Sequence, residues 1–273
     1  MNRRNSSYSV EDYESSGLAF PLRVLSCEDT ACFRSAVNEL QDRLGGKPPA
    51  MDLSQTHLAF KWGYDLVTHP KVLDAVEAVL GPNLIVWSTS IFAKYPRDPG
   101  FVSWHQDATY WGLNSQEVTT AWIALTDSTI ENGCMRVVPG THCDPIHEHV
   151  DTFAENNQLS RGQEIAVSVN EDDAVDLILK AGEMSLHHVN LIHGSNANET
   201  DGKRIGYVIR YVTPAVRQSG HRQPVVLARG VDDYGHFDLL KEPPTAGFED
   251  GLEAHRANTR ELLEALRKTK GAY

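Results

Sequence analysis

The stretch Phe101-Val102-Ser103-Trp104-His105-Gln106-Asp107-Ala108-Thr109-Tyr110-Trp111 surrounds one His and one Asp with aromatic and β-branched residues. Such a run predicts a strand, because these side chains pack well on a pleated, half-buried surface. Alternation along the strand puts His105, Asp107, Thr109 and Trp111 on one face. Trp104 and Tyr110 fall on the other, where core packing is expected. A charged Asp sharing a face with aromatics needs a partner, and a metal ion is one. Segments 84–95, 118–126, 134–138, 164–169, 175–179, 184–193 and 204–213 have the same texture. Turn signals separate them, among them Pro96-Arg97-Asp98-Pro99-Gly100, Glu131-Asn132-Gly133, Pro139-Gly140 and Asp201-Gly202. About eight short strands punctuated in this way predict an antiparallel sandwich or barrel.

The chain before this region reads differently. Phe33, Ala36, Val37, Leu40 and Leu44 have helical spacing over 28–44, and Gly45-Gly46 ends the run. Val72, Leu73, Val76 and Val79-Leu80 predict a second helix over 69–80, stopped by Gly81-Pro82. Residues 1–17 are polar and predict a loose arm. The polar stretch 144–163 reads as an insertion between strands and a candidate lid. Leu252, Leu262, Leu263 and Leu266 among alternating charges predict a surface helix over 249–268. With no internal repeat and no compositional break, 1–273 reads as one domain. Its class is α+β, mainly β, with the β core at about 84–213 between N-terminal and C-terminal helices.

Composition narrows the partners. The 273 residues are 41% hydrophobic, enough for one large core. Lys+Arg numbers 25 against 37 Asp+Glu, a formal charge of −12, which repels phosphate backbones and argues against nucleic acid. No apolar run approaches the roughly 20 residues that span a bilayer. The polar start lacks the apolar stretch of a secretory signal. Cys27, Cys32, Cys134 and Cys143 form no C-x-x-C pair, which suggests free thiols in a reducing compartment. The expectation is a cytoplasmic monomer or homodimer acting on a small molecule.

The pattern H-x-D occurs at His105/Asp107, His142/Asp144, His149/Asp151 and His236/Asp238. Only the first lies in a strand-like run. Downstream, Glu183 to His193 reads as another strand, and a polar turn leads into Arg204-Ile205-Gly206-Tyr207-Val208-Ile209-Arg210-Tyr211-Val212. Read as a hairpin, the two bring His193 near Arg204. Two His and one carboxylate with open positions form the facial triad of non-haem Fe(II) oxygenases. A neighbouring Arg can clamp a carboxylate in bidentate fashion, so Arg204 suits the far carboxylate of a keto-acid cosubstrate, and Ser195 can donate to the same group.

These residues reach a resemblance. Leu80-Gly81-Pro82-Asn83, Trp104-His105-Gln106-Asp107, Thr120-Ala121-Trp122-Ile123-Ala124-Leu125, Asn132-Gly133-Cys134-Met135-Arg136-Val137-Val138-Pro139-Gly140-Thr141-His142, and His193-Gly194-Ser195 with Arg204 run in one order over most of 70–212. In this the chain resembles the phytanoyl-CoA dioxygenase family of Fe(II)/2-oxoglutarate oxygenases. The segment from Trp104 to Trp111 is similar to the ectoine hydroxylase branch. The resemblance implies a double-stranded β-helix (jelly-roll, cupin-like) core. It implies iron held by His105, Asp107 and His193, and 2-oxoglutarate held by Arg204, Ser195 and Trp122. It implies hydroxylation of an unactivated C–H with O2, releasing succinate and CO2. Because Asp107 is present where related halogenases carry a small residue, hydroxylation is expected and chlorination is not.

The substrate side is assigned to Trp111, Thr109 and His188. Of the neighbours His187 and His188, one must face inward. An ammonium group over Trp111 would suit cation–π contact, so a small zwitterion (amino acid, compatible solute or aminophosphonate) is expected. A natural-product or acyl-thioester intermediate is the alternative. Arg210 shares strand parity with Arg204 but lies about 20 Å along the strand at roughly 3.3 Å per residue, so a salt bridge elsewhere is expected. Lys94, ending its strand, is a candidate to reach the cavity. Two other classes compete: a metal-dependent hydrolase using the same ligands, which leaves Arg204 and Ser195 without a role, and a non-catalytic jelly-roll binding protein, which the intact triad opposes.

Overall fold

The structure is a computed structural model. It describes residues 7–159, 162–219, 224–244 and 247–270, with side chains up to residue 260 other than that of Tyr110.

The helices form where caps and apolar spacing agree. The helices α1 (Tyr13–Ser16), α2 (Cys27–Arg43), α3 (Lys61–Val67) and α4 (Pro70–Leu80) precede the sheets, and α5 (Phe248–Lys270) follows them. Ser26 caps α2 by accepting from the Asp29 amide at 3.0 Å, and Phe33, Val37 and Leu40 bury its inner stripe. Pro70 starts α4 at a position that needs no amide donor, and Val72, Leu73 and Val76 are buried. The helix expected on the surface, α5, instead docks its first half. Leu252 is buried, and the His255 Nε2 contacts the Asp52 carbonyl at 2.7 Å. The side chains of Leu262, Leu263 and Leu266 lie outside the described residues. No helix among the described residues is long and apolar enough to cross a membrane.

The strands are β1 (Leu18–Arg23), β2 (Leu84–Lys94), β3 (Val102–His105), β4 (Val118–Ala124), β5 (Met135–Val137), β6 (His149–Asp151), β7 (Gln163–Ile165), β8 (Val175–Asp176), β9 (Glu183–His188), β10 (His193–Ser195), β11 (Arg204–Val212), β12 (Pro224–Arg229) and β13 (Asp238–Leu239). Seven of them form a sheet in the order β1-β9-β4-β11-β2-β12-β13. Four form a second sheet, β3-β10-β5-β8, and β6 pairs with β7 alone. The pairs are antiparallel except β12 with β13. The two larger sheets make the double-stranded β-helix core. Ile205, Tyr207, Ile209 and Tyr211 of β11, with Ala121 and Ile123 of β4, bury the outer face of the large sheet against α2, α3 and α4. The alternate residues Arg204, Gly206, Val208 and Arg210, with Thr120 and Trp122, face inward and are free to build a site.

Four expectations are corrected. The arm 1–17 is not loose where it is described: Tyr13 is buried and its hydroxyl donates to Thr119 Oγ1 at 2.7 Å, and residues 1–6 lie outside the described residues. The strand expected over 101–111 stops at His105, and Asp107–Tyr110 forms a 3-10 turn. Its amides find partners off the ladder, Gln106 N on His149 Nε2 at 3.0 Å and Ala108 N on the Val189 carbonyl at 3.2 Å. The strand expected over 184–193 is two, because a turn at Val189–Ile192, closed by Leu191 N on the His188 carbonyl at 2.9 Å, moves the chain from the large sheet to the small one. No hairpin therefore joins His193 to Arg204. β10 pairs with β3 and β5, while β11 pairs with β2 and β4.

Candidate metal centre and cavity

The candidate metal-ligating side chains converge because β3 and β10 are neighbours. His193 and His105 are direct Cα partners in that pair, with ring centroids 4.1 Å apart. Asp107 enters from the 3-10 turn. Its oxygens lie 3.4 Å from His105 Nε2 and 4.0 Å from His193 Nε2. One ligand atom from each of the three falls within 4.8 Å of the others, and this is the His/Cys/Asp/Glu cluster of that kind among the described residues.

The donor set fits a divalent cation. Both Nδ1 atoms sit 2.9 Å from backbone carbonyls, of Ser103 for His105 and of Leu191 for His193. A carbonyl only accepts, so each Nδ1 carries the proton and each Nε2 lone pair points at the cluster. Burial, with His105 alongside, pushes the His193 imidazolium down to about 4, so the ring is neutral near pH 7. Burial by itself would raise the Asp107 carboxyl. The neighbouring groups His105, His193 and Arg210 outweigh it and hold the carboxyl below the usual range. The remaining H-x-D histidines serve elsewhere. His142 stacks near His188, His149 accepts from Gln106, and His236 accepts from Arg217 Nε at 3.1 Å.

A cavity of about 150 Å³, open at its mouth, contains the triad. Arg204, Ser195, Trp122 and Trp111 line it. Arg204 is buried, its Nε lacks a hydrogen-bond partner, and its Cζ lies 5.2 Å over the Trp122 ring. Burial brings its guanidinium down only to about 10, so it stays charged. The Trp122 ring lies flat on Gly206. A Cβ there would come 2.1 Å from Trp122 Cζ2. Lys94 does not line the cavity. Its Nζ donates to Ser195 Oγ at 2.7 Å and to the Asn196 carbonyl, which leaves the Ser195 hydroxyl proton free to point inward. Burial first, then Arg204, lowers the Lys94 ammonium to about 7.

Two of the substrate-side assignments do not hold in the structure. Thr109 does not line the cavity. Its Oγ1 faces His149 Nδ1 at 3.2 Å, because the turn after His105 carries it toward the insertion. His188 faces outward beside Tyr13 and His142, and His187 lines the cavity instead. The expectation for Arg210 also fails: it lines the cavity and forms no ion pair among the described residues. Its parity with Arg204 was the available signal. Distance along the strand misleads, because the small sheet seats the triad over the far half of β11. Trp104 packs away from the triad, with the Arg136 guanidinium 5.5 Å over its ring. The insertion 144–163 forms a wall. Ser103 Oγ donates to the Gln163 carbonyl at 2.5 Å, Gln158 N donates to the Phe101 carbonyl at 2.8 Å, and Leu159 and Gln163 line the cavity.

Comparison with known proteins agrees with this geometry. A family model described as phytanoyl-CoA dioxygenase matches residues 13–206. A probable alpha-ketoglutarate-dependent hypophosphite dioxygenase of Stutzerimonas stutzeri is 30% identical over 192 residues, 67% of this chain and 61% of that protein, so the match spans less than two thirds of the relative. The non-heme monooxygenase ThoJ, in its apo structure, is 32% identical with a TM-score of 0.80, covering 95% of this chain and 96% of that one. The structure of SnoK, a non-heme alpha-ketoglutarate-dependent carbocyclase from nogalamycin biosynthesis, is 27% identical with a TM-score of 0.64, covering 80% and 88%.

Proposed function

The chain belongs to the phytanoyl-CoA dioxygenase family, and on that premise we propose that it is an Fe(II)/2-oxoglutarate-dependent dioxygenase. The reaction proposed is hydroxylation of an unactivated C–H of a small polar metabolite, an amino acid, compatible solute or aminophosphonate, with release of succinate and CO2. The observation that carries the reading is one cavity holding both a His-Asp-His cluster and a buried guanidinium without a carboxylate partner.

In this reading His105, Asp107 and His193 hold the ferrous ion through two neutral Nε2 atoms and one carboxylate. Arg204 and Ser195 receive the far carboxylate of 2-oxoglutarate, the guanidinium as a fork of donors and the hydroxyl as a third. Trp122 keeps Arg204 in plane, and Lys94 keeps Ser195 oriented. When bound, iron and 2-oxoglutarate supply activation of O2, chemistry no side chain provides. The protein positions the reacting C–H and excludes water. Trp111 walls the substrate side, and 144–163 acts as the lid of a single-domain enzyme. The intact Asp107 fills the ligand position that a halide would need, which favours hydroxylation.

The likeness to SnoK, a carbocyclase from nogalamycin biosynthesis, favours a second substrate class, a natural-product intermediate. One experiment tests both. Small polar metabolites and polycyclic intermediates are screened for stoichiometric succinate release under 18O2. Hydroxylation places one labelled oxygen in the product. Succinate release with an unlabelled, cyclised or epimerised product overturns the hydroxylase assignment.

A further inference from the structure

A second guanidinium lines the cavity, and no carboxylate among the described residues forms an ion pair with it. Arg210 Nη1 donates to Ser90 Oγ at 3.0 Å, but its Nε is buried without a partner. The Asp107 carboxylate bears on it electrostatically, yet Asp107 makes its close contacts with His105 and His193. The strand register explains what surrounds it. Ser88, Arg210, Thr120 and His187 stand opposite one another on β2, β11, β4 and β9. They form one polar row across four neighbouring strands, about 4.8 Å apart from strand to strand. Thr120 Oγ1 and His187 Nδ1 are also buried without hydrogen-bond partners. Three orphaned polar atoms in one row cost free energy when left unmade, and a partner that arrives with the ligand would satisfy them.

The charge of the row selects that partner. A guanidinium and a hydroxyl donate, and they match the oxygens of a carboxylate or phosphonate. An ammonium meets repulsion from Arg210, and the Trp111 ring that was expected to receive it is already covered by the Arg210 Cζ, 5.1 Å from its centroid. We propose that Arg210 and Thr120, with His187 beside them, anchor an anionic oxygen group of the substrate, so that the substrate of this site is a small carboxylate or phosphonate. Arg204 and Arg210, six residues apart on β11, then divide the cavity, one for each anion. This inference rests on the oxygenase reading.

The test is calorimetric titration of the Ni(II)-substituted protein saturated with 2-oxoglutarate, so that Arg204 is occupied and no turnover occurs. The probes are methylphosphonate and acetate, each against its uncharged ester, dimethyl methylphosphonate or methyl acetate. At least one anion binds saturably at millimolar concentration or tighter, and its ester does not. Arg210→Gln weakens that binding at least 10-fold, and the near-isosteric Thr120→Val weakens it several-fold. Absence of saturable binding by both anions overturns the proposal, as does equal binding of anion and ester or an unchanged Kd in Arg210→Gln. If Arg210→Gln loses the native circular dichroism spectrum, the anion–ester comparison on the wild-type protein and the Thr120→Val variant decide. The anaerobic charge-transfer band of the wild-type protein with Fe(II) and 2-oxoglutarate, recorded alongside, reports separately on the oxygenase reading.

Discussion

His105 and His193 are Cα partners across the β3–β10 pair, and each ring is locked by its own chain segment: Nδ1 reaches the backbone carbonyl two residues earlier, Ser103 of β3 in one case and Leu191 of the turn before β10 in the other, both at 2.9 Å. The same device at both histidines aims both Nε2 atoms at Asp107 before any ion arrives. Preorganisation of this kind is what keeps a metal site from depending on flexible loops. Replacing either histidine by Ala is expected to lower bound iron from one per chain to near zero and turnover at least about 100-fold, with the circular dichroism spectrum unchanged. Iron analysis of the purified variants checks this.

In the proposed centre Asp107 is the one negative ligand. Asp107→Ala is expected to lose turnover to the same extent, and the wild-type protein in excess chloride is expected to form no chlorinated product. Mass spectrometry of the product reads both outcomes. Full turnover by Asp107→Ala contradicts the assignment.

Gly206 is needed for a close approach. Trp122 occupies the space of its missing side chain, and Trp122 in turn supports Arg204. Gly206→Ala is expected to destabilise by about 2 kcal/mol through overpacking and to raise the Kd for 2-oxoglutarate. Thermal melts and a 2-oxoglutarate titration measure the two effects.

Lys94 acts one step behind Ser195. Lys94→Met removes the donor that orients the Ser195 hydroxyl, and a tenfold rise in the KM for 2-oxoglutarate is expected, in line with about 1.5 kcal/mol for a charged hydrogen bond. Titration of 2-oxoglutarate at fixed Fe(II) tests it.

Acid sensitivity follows from histidines remote from the triad. Burial pushes His57 down to about 3, and burial followed by His142 pushes His188 down to about 4. Below pH 6.5 the unfolded chain takes up these protons while the folded chain does not. Stability is therefore full above about pH 6.5 and falls as the pH drops toward 4. At pH 5 the loss is about 2 kcal/mol for each histidine. Urea denaturation of the metal-free protein at pH 7 and pH 5 gives the difference. His57→Phe, by removing one of the buried groups, reduces that difference.

The parts of the molecule legible in the sequence are those written in short windows. Ser26 and Pro70 start α2 and α4, and the long alternating runs of β2, β4 and β11 read as strands because every second residue belongs to one face. β1 escaped notice because Pro21 interrupts its apolar run, and its place at the sheet edge tolerates that residue. The break between β9 and β10 is hidden because Val189, Leu191 and Ile192 continue the apolar pattern through a turn. The triad is readable because ligand chemistry is a matter of residue type, so His105, Asp107 and His193 stand out wherever the chain places them. The row of Arg210, Thr120 and His187 is not readable in the same way. It exists only through the register of β11, β4 and β9, and no window of sequence contains it.

The most direct measurement is the visible absorption of the protein titrated anaerobically with Fe(II) and then 2-oxoglutarate. A weak charge-transfer band that saturates at one equivalent of iron and disappears in His193→Ala is the expected result. Tight iron binding with no such band at saturating 2-oxoglutarate, or a band that survives in His193→Ala, contradicts the account.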